Sequence, residues 1–293
     1  MNKRLELYPR IDLDSQKSRE QIAKVEISNV LRDCSIEDDQ VTDQMMDRLI
    51  QLHELTPTFD DERKAVEYAQ RLQAFLQNTK PEFAPTDEQM NAIYGGTFFS
   101  DIGKTGPADA TPEQSYVVTR IYAIENINPK LTVGEALRVK EPALADKLLA
   151  DFDSIDDMSA DMPLRKFWDA HVKWSYAIIK DSDLSVKAKR AAASHHILEG
   201  NFPEDVIDAT GKIVGTDEYI GLPEAWVMML DKYDAQISRA KASHKDAITW
   251  LKALETKDTW KNLETKVQDA LLQAIEDIDE SFKPQEEQSV AAK

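Results

Sequence analysis

Apolar residues recur three and four positions apart along most of this chain, the spacing of one buried helical stripe. Ile22, Val25, Ile27, Val30 and Leu31 mark the stripe over 18–31, and Met45, Met46, Leu49, Ile50 and Leu52 repeat it over 41–55. Ala65, Tyr68, Ala69 and Leu72 predict a third helix over 60–77, with Asp60 or Asp61 as its N-cap. The segment 78–85 carries two prolines and reads as a linker into a helix that ends near Lys104. Thr132 and Glu135 have the spacing of a capping box opening a helix through Val139, and Pro142 begins the next. Helices over 187–198, 223–242, 243–254 and 260–282 complete the set, and the polar tail 283–293 predicts disorder. Two stretches, 108–130 and 151–183, break the periodicity and read as insertions.

Composition agrees with the periodicity. Only 9 glycines occur in 293 residues and alternating β-branched runs are few, so the expected fold class is all-α. No apolar run reaches the roughly 18 residues of a membrane span, and the first residues lack the apolar core of a secretory signal. Cys34 stands alone, which excludes an intrachain disulfide framework and a thiolate cluster. A cytoplasmic, membrane-free protein is expected. The net charge of −18, from 54 acidic and 36 basic residues, repels nucleic acid polymers at long range. It does not exclude a small phosphate ligand, because a few local cations can invert the field inside one pocket.

Three segments hold the candidate chemistry. Ser100-Asp101-Ile102-Gly103-Lys104 sets a carboxylate and an ammonium three residues apart at a helix end, where both can meet one phosphate, Asp101 through a metal and Lys104 directly. The plain alternative is a helix C-terminus with Gly103 near its cap and Lys104 on the dipole. His195 and His196 are adjacent, so on a helix they point about 100° apart and suit two metals, or one metal and an outer partner. Asp231 follows the apolar run Ala225-Trp226-Val227-Met228-Met229-Leu230 and needs a cation or hydrogen-bond partner there. His171, between Trp168 and Trp174, reads as a core or surface histidine that could replace a lost ligand.

In their order these segments resemble the HD-domain metal phosphohydrolases, specifically the HD-GYP branch of cyclic-di-GMP phosphodiesterases. The helix Arg63-Lys64-Ala65-Val66-Glu67-Tyr68-Ala69 is similar to the family's first element, with Asp61 at the histidine position. Residues 100–104 match HDIGK except for Ser100. Leu131-Thr132-Val133-Gly134-Glu135, leading to Glu141 and Pro142, resembles the third element with Glu141 in place of histidine. His195-His196-Ile197 matches the histidine pair without its glutamate, and Gly200-Asn201-Phe202-Pro203 looks like an altered GYP. Asp231-Lys232-Tyr233-Asp234-Ala235, with Arg239 and Lys241, is similar to the closing segment.

The resemblance spans roughly 56–256. It implies an HD-type helical bundle preceded by a helical extension over 1–55 and followed by a helix and tail over 257–293. The implied metal ligands are Asp61, Asp101, Glu141, His195, His196 and Asp231, an oxygen-rich set that suits Mg²⁺ or Mn²⁺ better than iron. Asp101 and Lys104 would be catalytic, and Gly200, Asn201, Phe202, Pro203, Arg239 and Lys241 would bind substrate. The substitutions spread over the whole centre. They favour a non-hydrolytic signalling module, without a required metal, that binds a nucleotide or contacts a protein, or another copy, through the N-terminal helices. The alternative is an active metal-dependent phosphodiesterase on a cyclic dinucleotide or related nucleotide.

Overall fold

Hydroxyl caps set many of the helix starts. The side chains of Thr42, Thr86, Thr111, Thr132, Ser185 and Ser243 each accept the backbone N–H three residues on, satisfying a donor the first turn leaves free. The computed structural model describes residues 13–254 and 265–278. They form α1 (Leu13–Asp33), α2 (Asp43–Leu55), α3 (Thr58–Thr79), α4 (Asp87–Phe99), α5 (Pro112–Tyr122), α6 (Val133–Lys140) and α7 (Ala145–Phe152), followed by α8 (Leu164–Asp169), α9 (His171–Ile179), α10 (Val186–Ser194), α11 (Leu222–Asp234), α12 (His244–Ala253) and α13 (Thr265–Asp277). Among the described residues β pairing is confined to isolated bridges, such as Ile207 with Ile213. The fold is all-α, as the periodicity predicted. The first twelve residues of the extension and the tail 283–293 lie outside the described residues.

Several boundaries move for physical reasons. In α1 the buried stripe is Ala23, Ile27 and Leu31, spaced by four, so Ile22 and Val25 turn outward at 58% and 55% exposure. Helix α3 begins at Thr58, which puts Asp60 and Asp61 inside its first turn rather than at the cap. Helix α4 stops at Phe99, and the chain tightens into a 3₁₀ turn over Ile102–Thr105. The expected helix over 223–242 ends as a π turn, Ala235–Arg239, directly after α11.

Two cores divide the chain. The larger joins α1–α4 with residues of α9–α13, including Phe98, Phe99, Ile178, Ala191, Trp226 and Leu251. The smaller is built from α5–α8 and the loops between them, with Val117, Ile121, Leu137, Leu149, Phe152 and Phe167. The two expected insertions therefore share one core with α6 and α7, and α9 leaves it to pack on α10 and on the 3₁₀ turn. Buried Arg48 of α2 ties the units together, donating to the carbonyls of Thr105 (2.6 Å) and Pro107 (3.1 Å) and to the Ser115 hydroxyl.

Candidate metal centre

Small residues bring the chemical groups together. Helices α4 and α10 cross where Gly95 and Gly96 face Ala188 and Ala191; a Cβ on Gly96 would stand 2.6 Å from that of Ala191. This crossing sets the C-terminal ends of both helices side by side, with Asp101 just beyond one and His195 just beyond the other. Gly103 allows an equally close approach by α9. A Cβ there would lie 2.1 Å from the His171 carbonyl oxygen. The Gly103 N–H instead donates to the Ser175 hydroxyl (2.8 Å), which donates to the Ser100 carbonyl (2.5 Å). His171 is thereby delivered to Asp101.

The result is a cluster of imidazoles around a carboxylate. His171, His195 and His196 each offer a ring nitrogen within 4.8 Å of the others. His171 Nδ1 is 2.6 Å from the Trp168 carbonyl and His195 Nδ1 is 2.7 Å from the Ala192 carbonyl. A carbonyl only accepts, so both Nδ1 atoms carry the proton, and His195, brought down to about 4, presents a bare Nε2. Those two Nε2 atoms are 3.1 Å apart. Asp101 Oδ1 is 3.1 Å from the first and 3.8 Å from the second. A proton on His171 Nε2 satisfies this group by donating to Asp101, and a bound cation would take that proton's place. His196 brings a further nitrogen, with Asp231 Oδ2 3.8 Å from its Nε2. The three imidazoles are a group that could hold a metal ion, with both protonated Nδ1 atoms orienting their rings from outside and Asp101 beside two of them.

Burial would raise the Asp101 carboxyl, but Lys104 foremost, with the hydrogen bond from His171, holds it well below the usual carboxylate range. Asp231 is likewise held low against burial, chiefly by Lys232. Burial pushes the Glu62 carboxyl far up, and neighbouring Asp101 adds to this. Burial also raises Asp61, against Lys104, and lifts Asp234 to about 6. Burial and then His171 bring His195 down to about 4.

That last shift carries a pH dependence. An unfolded histidine titrates near 6.5, so between pH 6.5 and 4 the unfolded chain takes the proton while folded His195 does not. The stability present above pH 6.5 falls by about 3 kcal/mol toward pH 4 from this group. Denaturant unfolding across that range should show a shallower decline for His195→Gln than for the wild type. Parallel curves would show that His195 does not titrate this way.

Of the expected ligands, the fold brings together Asp101, His195, His196 and Asp231. Asp61 lines an adjoining cavity with Glu62, Asp101, Lys104, Asp231 and Arg239. Glu141 does not join them: it caps the end of α6 and pairs with Arg120 of α5. The third imidazole beside His195 and His196 comes instead from His171, thirty positions on, because the α5–α8 unit intervenes before α9. The Trp168–Trp174 flank by itself left His171 as a core or surface histidine.

The substrate residues divide in the same way. Arg239 is 3.7 Å from Asp231 and lines the cavity. Lys241 is exposed in left-handed backbone (φ 54°) and does not line it. The 200–203 loop is anchored rather than open to a ligand. Phe202 and Pro203 are buried, the Asn201 amide donates to the Asp169 carbonyl, and Gly200 adopts φ 78°. Glu62 was passed over for its neighbour Asp61; both line the cavity, and Glu62 is the more deeply buried of the two. The Ser100 hydroxyl reaches both Glu62 Oε1 (3.3 Å) and the Thr97 carbonyl (2.9 Å).

Comparison with family models, with curated proteins and with solved structures finds no match to this chain.

Proposed function

We propose that the chain is a metal-dependent phosphohydrolase acting on a nucleotide phosphodiester, in the manner of the HD-GYP proteins it resembles. One observation carries the reading: the Nε2 atoms of His171 and His195 and the Asp101 carboxylate lie within 3.8 Å of one another with His196 beside them. These residues fit a divalent ion, and His171 restores an imidazole that the sequence had appeared to lose. When bound, such an ion acidifies a water and polarises a phosphoryl oxygen. Lys104 donates to Asp101 at the cavity and is positioned to neutralise phosphoryl charge. Arg239, 58% exposed along its side chain, can grip a second phosphate with its planar fork at the rim. The cavity of about 20 Å³ admits a water or an ion, so sugar and base would rest outside it.

A second reading keeps the fold without hydrolysis. Lys104 on Asp101 and Lys232 on Asp231 (2.7 Å) already neutralise both carboxylates from within. Such a centre is stable without an ion and suits nucleotide binding or protein contact, with the outward Ile22 and Val25 of α1 as a contact surface. The two readings separate by assay. With Mn²⁺ added, the wild type should hydrolyse cyclic-di-GMP or bis(p-nitrophenyl) phosphate, and Asp101→Asn should lose at least ~100-fold of that rate. Equal rates in the two proteins, or none in a metal-loaded wild type, would favour the non-hydrolytic module.

A further inference from the structure

The three helices that lead to Asp101, His195 and Asp231 all begin at a second, larger cavity. Its walls come from the starts of α4 and α11, from Lys187 and Arg190 of α10, from the turn before α4 and from the 213–219 loop. Its volume of about 510 Å³ falls in the range of small-molecule sites. Asp101 and His195 lie just past the C-terminal ends of α4 and α10, and Asp231 stands in the last turn of α11. This space and the imidazole cluster therefore sit at opposite ends of the same helices. The 13 residues of α4 set them about 20 Å apart.

A fixed guanidinium is built into the cavity wall. Glu224 is buried and engages both of its oxygens: Oε2 accepts the Gly221 N–H at 3.0 Å and Oε1 accepts from Arg190 Nε. A carboxylate held twice in this way holds the arginine in turn, whose side chain is only 16% exposed. The pair uses Nε alone. Among the described residues the Nη groups of Arg190 make no hydrogen bond, and together they form the planar fork that grips a carboxylate with two parallel bonds. Half-buried Phe83 and Leu222 and exposed Tyr219 supply apolar walls, two of them aromatic. Glu82 and Glu218 stand exposed at the rim, and no described side chain pairs with either carboxylate. Lys187, the other lining cation, is already paired with Glu88 at 2.8 Å.

We propose that this cavity binds a small zwitterion, a free amino acid with an aromatic side chain. Its carboxylate sits on the Arg190 fork, its ammonium against Glu82 or Glu218, and its ring between Phe83, Leu222 and Tyr219. The charges select this class. A phosphate would meet the fork but also two uncompensated carboxylates, and a simple organic cation would leave the fork empty. A ligand carrying one charge of each sign satisfies both ends of the cavity at once. The site shares no residue with the imidazole cluster or the acidic cavity beside it, so its occupancy is independent of any metal there.

The test titrates the full chain with L-phenylalanine in a calorimeter, alongside hydrocinnamate, phenethylamine and phenyl phosphate. The wild type should bind L-phenylalanine with a submillimolar Kd. Hydrocinnamate and phenethylamine each lack one of its charges and should bind about tenfold more weakly, or less well still. Arg190→Lys keeps a positive charge beside Glu224 but loses the fork, and should weaken L-phenylalanine about tenfold. The double variant Glu82→Gln, Glu218→Gln changes only exposed groups and carries the test should Arg190→Lys fail to fold. It should lower L-phenylalanine to the level of hydrocinnamate, a loss of discrimination that a purely structural role would not produce. No binding of L-phenylalanine to the wild type at millimolar concentration would overturn the proposal, as would wild-type discrimination in the double variant. Tighter binding of phenyl phosphate than of L-phenylalanine would overturn it too, in favour of a phosphate site.

Discussion

Gly103→Ala is expected to destabilise the protein by about 3 kcal/mol or more and to pull His171 away from Asp101. The added Cβ would stand 2.1 Å from the His171 carbonyl oxygen and 2.4 Å from the Ser175 amide nitrogen. Both are backbone atoms, so no side chain can rotate to relieve the contact, and overpacking of this kind costs 1–3 kcal/mol before lost hydrogen bonds are counted. Separating α9 from the turn would also stretch the Gly103–Ser175 and Ser175–Ser100 bonds. For a chain of this size the loss corresponds to roughly 6–12 °C in Tm. Thermal unfolding measures it directly. A melting temperature within about 2 °C of wild type would mean that α9 does not approach the turn so closely.

The second large effect concerns which residue completes the cluster. On the proposed metal reading, His171→Gln is expected to lower transition-metal affinity by roughly 100-fold or more, since it would remove a ligand rather than one of the outer partners whose loss costs 10–100-fold. Glu141→Gln should leave that affinity unchanged, because its carboxylate is engaged by Arg120 and is not gathered with the imidazoles. Competition titration of Co²⁺ or Zn²⁺ against a chromophoric chelator distinguishes the two. Loss of affinity in Glu141→Gln with His171→Gln unaffected would reverse the assignment made from the fold.

The same pair of residues marks the boundary between what sequence conveys and what it does not. Helices were legible because their signals are local: the apolar stripe of Leu49 and Leu52, the Thr132–Glu135 capping box and the Ser243 cap each act within a few residues. Asp101, His195, His196 and Asp231 were legible because each stands beside its own local mark, a glycine-bearing turn, a histidine pair or an apolar helix. Glu141 and His171 are thirty positions apart, and no local signal tells which of them reaches the centre. That depended on α5–α8 closing around their own core and returning the chain at α9. The deeper burial of Glu62 than of Asp61 is of the same kind, since a shift of one residue turns a helical side chain by about 100°.

The sequence by itself determined the all-α class, most helix positions and a set of chemically able residues, because capping, periodicity and residue chemistry act over short range. Only the tertiary structure decided which of them converge. Convergence rests on close crossings, Gly96 on Ala191 and Gly103 on His171, whose partners lie 95 and 68 positions away along the chain. It also rests on the shared burial that leaves Asp101 among imidazoles on one side and oxygen donors on the other.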